Sequence, residues 1–135
     1  MTTLNPEIDT TKVKILIVDD IPLNVLLIDK MLAKFKFQTL KANSGADALK
    51  LIETEKPHIL LLDLMMPGID GYQVTEQVRA TISKEEMPIV ILSALNANDD
   101  ISRAMALGAD EFITKPVMME RLHNCVINLV NKIKF

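Results

Sequence analysis

The stretch "HILLLDLMMPGIDGY", His58 to Tyr72, decides how the rest of the chain is read. Ile59 to Leu62 are apolar without a break and then meet a carboxylate at Asp63. Pro67-Gly68 reads as a turn, and Asp70-Gly71 follows as the start of a helix. An unbroken apolar run of this length suits a strand covered on both faces, as in a parallel sheet. A charge at its end calls for a partner.

Working outward, short apolar runs alternate with stretches of helical period. "VKILIV" (Val13 to Val18) is a first strand, and Pro22 opens a helix with apolar residues at Leu23, Leu26, Leu27 and Met31. "FQTLKA" (Phe37 to Ala42) alternates like a half-exposed edge strand. Ser44, with Asp47 three residues on, resembles a capping box for a helix with Ala48, Leu51 and Ile52 on its apolar face. "HILLL" is the third strand, and Asp70 caps a helix to about Ala80 that carries Tyr72, Val74 and Val78. "PIVIL" (Pro88 to Leu92) is the fourth strand, and a helix from about Asn98 to Leu107 ends at Gly108. "EFIT" (Glu111 to Thr114) is a short fifth strand. Leu122, Val126, Leu129, Val130 and Ile133 then set a closing helix over 118–133. The alternation predicts an α/β fold with helices on both faces of a parallel sheet. The wholly apolar first, third and fourth strands belong inside, so the order is 2-1-3-4-5, a doubly wound, flavodoxin-like sheet.

The bulk numbers agree. At 135 residues, with 49% hydrophobic and 24% charged, the chain is sized and composed as one globular domain. A net charge of −3 and the lack of a basic cluster exclude the electrostatic footprint of a nucleic-acid binder. No apolar run approaches the roughly 18 residues a membrane helix needs. "MTTLNPEIDTTK" lacks the cationic start and apolar run of a signal peptide, and residues 1–11 read as a flexible tail before a domain at 12–135. One cysteine, Cys125, excludes an internal disulfide and suits a reducing cytoplasm. It falls in an apolar helical pattern, as a small core hydrophobe would.

In the inferred order, ligands bind at the strands' carboxyl ends, where the chain reverses direction. Strand one ends on Asp19-Asp20, strand three on Asp63 and strand four on Ser93, while strand five leads to Lys115-Pro116. Singly each residue has an ordinary role: an Asp after a strand forms turns or caps, a Ser caps, and a Lys is a solvated cation. Their convergence on one rim is what carries weight. Two carboxylates 4 Å apart repel by about 4 kcal/mol at an effective dielectric near 20. Clustered acids therefore need a cation, and an all-oxygen donor set suits Mg²⁺. His58 and His123 are isolated, so a softer metal lacks ligands and both read as structural.

These residues resemble the receiver domain of two-component response regulators. The resemblance rests on "VDD", "LLLDLMMPGIDGY", the hydroxyl of "ILSA" and the "KP" after "GADEFIT", and it extends from about Lys14 to the end of the chain. It implies that Asp63 is the phosphoacceptor. It also implies that Asp19, Asp20, Asp63 and the backbone carbonyl of Met65 hold Mg²⁺. Ser93 would hydrogen-bond a phosphoryl oxygen, and Lys115 would pair with the phosphoryl group. Phe112 matches the aromatic that turns inward on activation, although an aromatic on an edge strand commonly just packs. The Lys115-Pro116 bond would be cis. Met65 and Leu95 stand where the family's chemotaxis member has polar residues able to position water.

The family further implies a histidine kinase or phosphotransfer protein as donor, a cytoplasmic location and no turnover of a separate substrate. Output would pass through the face of the fourth helix, fifth strand and fifth helix. It would reach a downstream protein, a missing effector domain or a phosphorylation-dependent homodimer, with no direct binding to nucleic acid or membrane. The chain stops one helix after Lys115, as a stand-alone receiver or a segment of a longer protein would. "DDIPLNVLL" resembles receivers attached to cyclic-dinucleotide cyclases and hybrid kinases.

Rival readings fare less well. Haloacid-dehalogenase-type enzymes place a second Asp two residues after the nucleophile, but Ile21, Pro22 and Met65 hold the matching positions here. A flavin-phosphate loop after strand one would carry Gly, Ser or Thr, and "DDIPLN" repels phosphate instead. A degenerate receiver that only docks would not keep all five site residues.

Overall fold

The computed structural model describes residues 2–135. In chain order the elements are β1 (Lys14–Val18), α1 (Pro22–Leu32), β2 (Gln38–Ala42), α2 (Gly45–Glu55), β3 (Ile59–Leu62), α3 (Gly71–Arg79), β4 (Ile89–Ser93), α4 (Asn98–Leu107), β5 (Glu111–Thr114) and α5 (Met119–Val130). The sheet runs β2-β1-β3-β4-β5 with every pair parallel, the order expected from the apolar pattern.

Side-chain alternation along the strands splits the core in two. Ile15, Ile17, Ile59, Leu61, Val90 and Leu92 face α1 and α5, where they meet Val25, Ile28, Leu122 and Val126. Leu16, Val18, Leu60, Leu62, Ile89 and Ile91 face the other way, with Ile52, Val74, Val78 and Ala104. Residues of β1, β3 and β4 therefore bury both faces, which is why those strands read as unbroken apolar runs. Local signals also hold: Asp70 and Gln73 form a reciprocal capping box at α3, and Gly108 ends α4 at φ 114°.

Helix α1 departs from its expected orientation. Of the four residues in its apolar spacing, Met31 packs on the core, but Leu23, Leu26 and Leu27 are 43–61% exposed, and Val25, Ile28 and Leu32 are buried instead. The helix is apolar nearly all round, so spacing alone does not say which stripe meets the sheet. Cys125 is buried as expected, and burial pushes its thiol up to about 11, which leaves it inert at neutral pH. The leading segment, expected as a mobile tail, makes defined contacts. The Asn5 N–H donates to Asn131 Oδ1 at 2.8 Å, and Leu4 and Ile8 pack on the α1–α5 side of the core.

Both histidines make structural bonds. His123 bonds the Met31 carbonyl, and His58 Nδ1 accepts the Lys14 N–H at 2.9 Å. Burial lowers the His58 pKa, and the Lys14 charge adds to this. A folded-state value below the unfolded one favours the neutral ring. Its stabilisation is complete above the unfolded value of about 6.5 and fades as pH falls below it. His58→Asn keeps an acceptor for Lys14 and removes the titration. Thermal melting from pH 7.5 to 5 should therefore show the native protein losing stability relative to this variant, and parallel curves would contradict the assignment.

Candidate functional site

The carboxyl ends of β1, β3, β4 and β5 lie side by side, because register pairs Val18 with Leu62 and Ser93 with Thr114. Backbone bonds fix the loops that leave them. The Asp19 N–H donates to the Ala42 carbonyl, the Asp63 N–H to the Val18 carbonyl, and the Lys115 N–H to the Ser93 carbonyl at 2.8 Å. The loop after Asp63 is pinned where the Gly71 N–H meets the Leu64 carbonyl at 2.9 Å. A Cβ on Gly71 would lie 2.4 Å from the Asp63 carbonyl oxygen, so that close approach requires glycine.

Carboxylate oxygens of Asp19, Asp20 and Asp63 lie within 4.8 Å of one another. Asp19 and Asp63 are only 4% and 6% exposed, so their charges are largely out of water. Lys115 Nζ bonds Asp19 Oδ2 at 2.8 Å and stands 3.7 Å from Asp63 Oδ1. Burial raises the Asp63 pKa above the usual carboxylate value, and the Asp19 and Asp20 charges add to the rise. The Lys115 charge and the Met65 backbone N–H oppose it. One ammonium facing three acids leaves a surplus of negative charge. This hard-oxygen donor set fits a divalent cation such as Mg²⁺.

The other expected residues are arranged around this cluster. Ser93 is fully buried at the end of β4, and its Oγ accepts the Leu95 N–H at 3.1 Å, which leaves its own O–H free to donate. Phe112, on β5, pairs in register with Ile91 and is half-buried against the α3–α4 side of the core, where Leu95 also packs. Met65 projects its side chain outward, 60% exposed. The Lys115-Pro116 bond is cis.

Two features were not read from the sequence. Asn24, in the first turn of α1, donates from Nδ2 to Asp19 Oδ2 at 3.2 Å. A polar side chain in an otherwise apolar turn, five residues from Asp19, is the signal that marks it. Ile21, Leu23, Met65, Met118 and Met119, which follow closely on the site residues in sequence, are exposed apolar side chains. The excess of apolar positions on α1 hints at this.

A family model for the response regulator receiver domain matches residues 15–127. The chain is 37% identical over 109 residues to protein PilH of Pseudomonas aeruginosa, covering 81% of this chain and 90% of PilH. It is 36% identical over 104 residues to the response regulator PleD of Caulobacter vibrioides, covering 77% of this chain but only 23% of PleD. The beryllofluoride-activated N-terminal receiver domain of Klebsiella pneumoniae RstA superposes with a TM-score of 0.81 at 29% identity, over 87% of this chain and 97% of that domain.

Proposed function

This chain belongs to the response regulator receiver family of two-component signalling, and from that premise we propose that Asp63 accepts the phosphoryl group. The observation that carries the reading is an acidic trio, buried at Asp19 and Asp63 and half-buried at Asp20, with a single lysine bridging Asp19 and Asp63.

In the transfer, an Asp63 oxygen forms a bond to phosphorus while the donor's phosphorus–nitrogen or phosphorus–oxygen bond breaks, and its electron pair leaves with the donor. A carboxylate is a weak nucleophile, so neutralising the incoming charge is the main task. Mg²⁺, when held by Asp19, Asp20, Asp63 and the Met65 carbonyl, supplies part of that neutralisation. Lys115 supplies the rest: a phosphoryl group on Asp63 brings more negative charge than Asp19 offers, so the ammonium is drawn across. Ser93 donates its free O–H to a phosphoryl oxygen, and the end of β4 is drawn toward Asp63 together with the Leu95 N–H that bonds Ser93 Oγ. Since Leu95 and Phe112 pack in the same cluster, that shift biases the face of α4, β5 and α5.

The exposed apolar residues Ile21, Leu23, Met65 and Met118, each close in sequence to a site residue, seat the donor, a histidine kinase or phosphotransfer protein. Burying exposed apolar area beside the acceptor excludes water from the transfer. No described helix is long and apolar enough to cross a membrane, and the cytoplasm is the proposed location. The proposed domain limits of about 12–135 contain every element from β1 to α5, with Leu4 and Ile8 packed against them.

Asp20→Asn tests the reading. Asp20 contributes to the raised Asp63 pKa, so removing its charge should raise the melting temperature of the metal-free protein. The same change should abolish Mg²⁺-dependent phosphorylation by acetyl phosphate. A variant still phosphorylated at the native Mg²⁺ concentration dependence would contradict the assigned ligand set.

A further inference from the structure

Asp19 is held by more than Lys115. Its Oδ1 accepts the Ile21 N–H at 2.9 Å, and its Oδ2 accepts both Lys115 Nζ at 2.8 Å and the Asn24 side-chain amide at 3.2 Å. The amide must present its nitrogen, because a carboxylate can only accept. Ile21 is the N-cap of α1 and offers no side-chain cap, so the first turn of this helix is fastened to the site through Asp19. Asn24 is itself fixed there, its N–H donating to the Ile21 carbonyl at 3.0 Å.

We propose that Asn24 is a positioning residue that keeps the Asp19 carboxylate turned toward the cation site. The inference rests on the proposed Mg²⁺ role and adds to it a residue outside the acidic trio. The need arises because Lys115 has a second destination. Once the ammonium moves to a phosphoryl group on Asp63, Asn24 is, among the described residues, the only side chain still bonded to Asp19 Oδ2. Without it the Ile21 N–H would still hold Oδ1, but Oδ2 of this nearly buried carboxylate would be free to swing away from its neighbours. Removing an outer hydrogen-bond partner of a metal ligand typically weakens metal binding by about 10- to 100-fold.

Asn24→Leu keeps the size of the side chain, improves helix propensity and deletes the donor. With a beryllofluoride phosphoryl mimic present to draw Lys115 away, titration calorimetry with Mg²⁺ should show affinity weakened by about tenfold or more. Without the mimic the loss should be smaller, because Lys115 still bonds Asp19 Oδ2. The metal-free melting temperature should fall only modestly, since Lys115 and the Ile21 N–H still bond Asp19 and leucine favours the helix. Asn24→Gln, which retains a donor, should recover most of the affinity. If Asn24→Leu does not fold, Asn24→Ala reads the same quantity. Native Mg²⁺ affinity in the Leu or Ala variant with the mimic present overturns the role of Asn24 alone. A native protein that binds no Mg²⁺ overturns the metal reading, and this inference with it.

Discussion

Replacing Lys115 with methionine is expected to slow phosphorylation by acetyl phosphate by roughly 100-fold or more, the usual effect of deleting one preorganised charge at a reacting group. Among the described residues, no other lysine or arginine lies within salt-bridge distance of Asp19, Asp20 or Asp63. Asp19 and Asp63 sit where water screens poorly, so none of the described residues substitutes for the lost ammonium. Stability should fall as well, because methionine leaves Asp19 without its strongest partner. That cost is about 3 kcal/mol or less, since Lys115 is still a quarter exposed. Lys115→Arg separates the two effects: it retains a charge for Asp19 but replaces a compact ammonium with a wide planar group. The arginine variant should recover most of the stability and only part of the rate. Intact-mass time courses at saturating Mg²⁺, beside urea unfolding, measure both. A methionine variant phosphorylated at the native rate would remove Lys115 from the chemistry.

The phosphorylated form should be long-lived, and Met65→Asn combined with Leu95→Glu should shorten its lifetime by roughly 100-fold at the upper end. Hydrolysis needs a water in line with phosphorus, opposite the Asp63 oxygen. The residues two positions after Asp63 and Ser93 are apolar here and can neither orient nor activate it. The structure distinguishes their roles. Met65 is 60% exposed, so packing does not account for it, whereas Leu95 is half-buried and packs with Phe112. Met65→Asn alone should therefore change lifetime with little change in stability, and Leu95→Glu should cost some stability. Loss of phosphoryl label in native and variant proteins, followed after the donor is removed, decides the matter. An unchanged rate in the double variant would show that these side chains do not govern the lifetime.

What could be read from the sequence was what local chemistry determines. Apolar runs ending in Asp20, Asp63 and Ser93 marked interior strands, Asp70 and Gly108 marked helix ends, and the sheet order followed from which strands were wholly apolar. The acidic trio emerged because the order brought its strand ends together. What escaped depends on contacts across the fold. Leu23, Leu26 and Leu27 were placed against the sheet because α1 has two apolar stripes, and only the docked helix shows that Val25 and Ile28 face inward. Nothing in the local sequence sets Arg79 apart from any other last-turn cation. In the fold its guanidinium bonds the carbonyls of Gly108 at 2.8 Å and Met87 at 2.9 Å and the Asp110 carboxylate at 2.8 Å, clasping α3 to the strands and α4 at the far end from the site. Helix α2 ends on Lys56 at φ 48°, a left-handed position where glycine would be expected. Asn24 escaped for a related reason: its bond depends on how α1 leaves β1, which spacing does not specify.

The central claim is that Asp63, and neither Asp19 nor Asp20, carries the phosphoryl group. Borohydride reduction converts an aspartyl phosphate to homoserine, which marks the acceptor permanently. Protein treated with acetyl phosphate and Mg²⁺, reduced and mapped by peptide mass spectrometry should contain homoserine at position 63 alone, and Asp63→Asn should contain none. Homoserine at position 19 or 20 in the native protein, or undiminished phosphorylation of Asp63→Asn, would contradict the account.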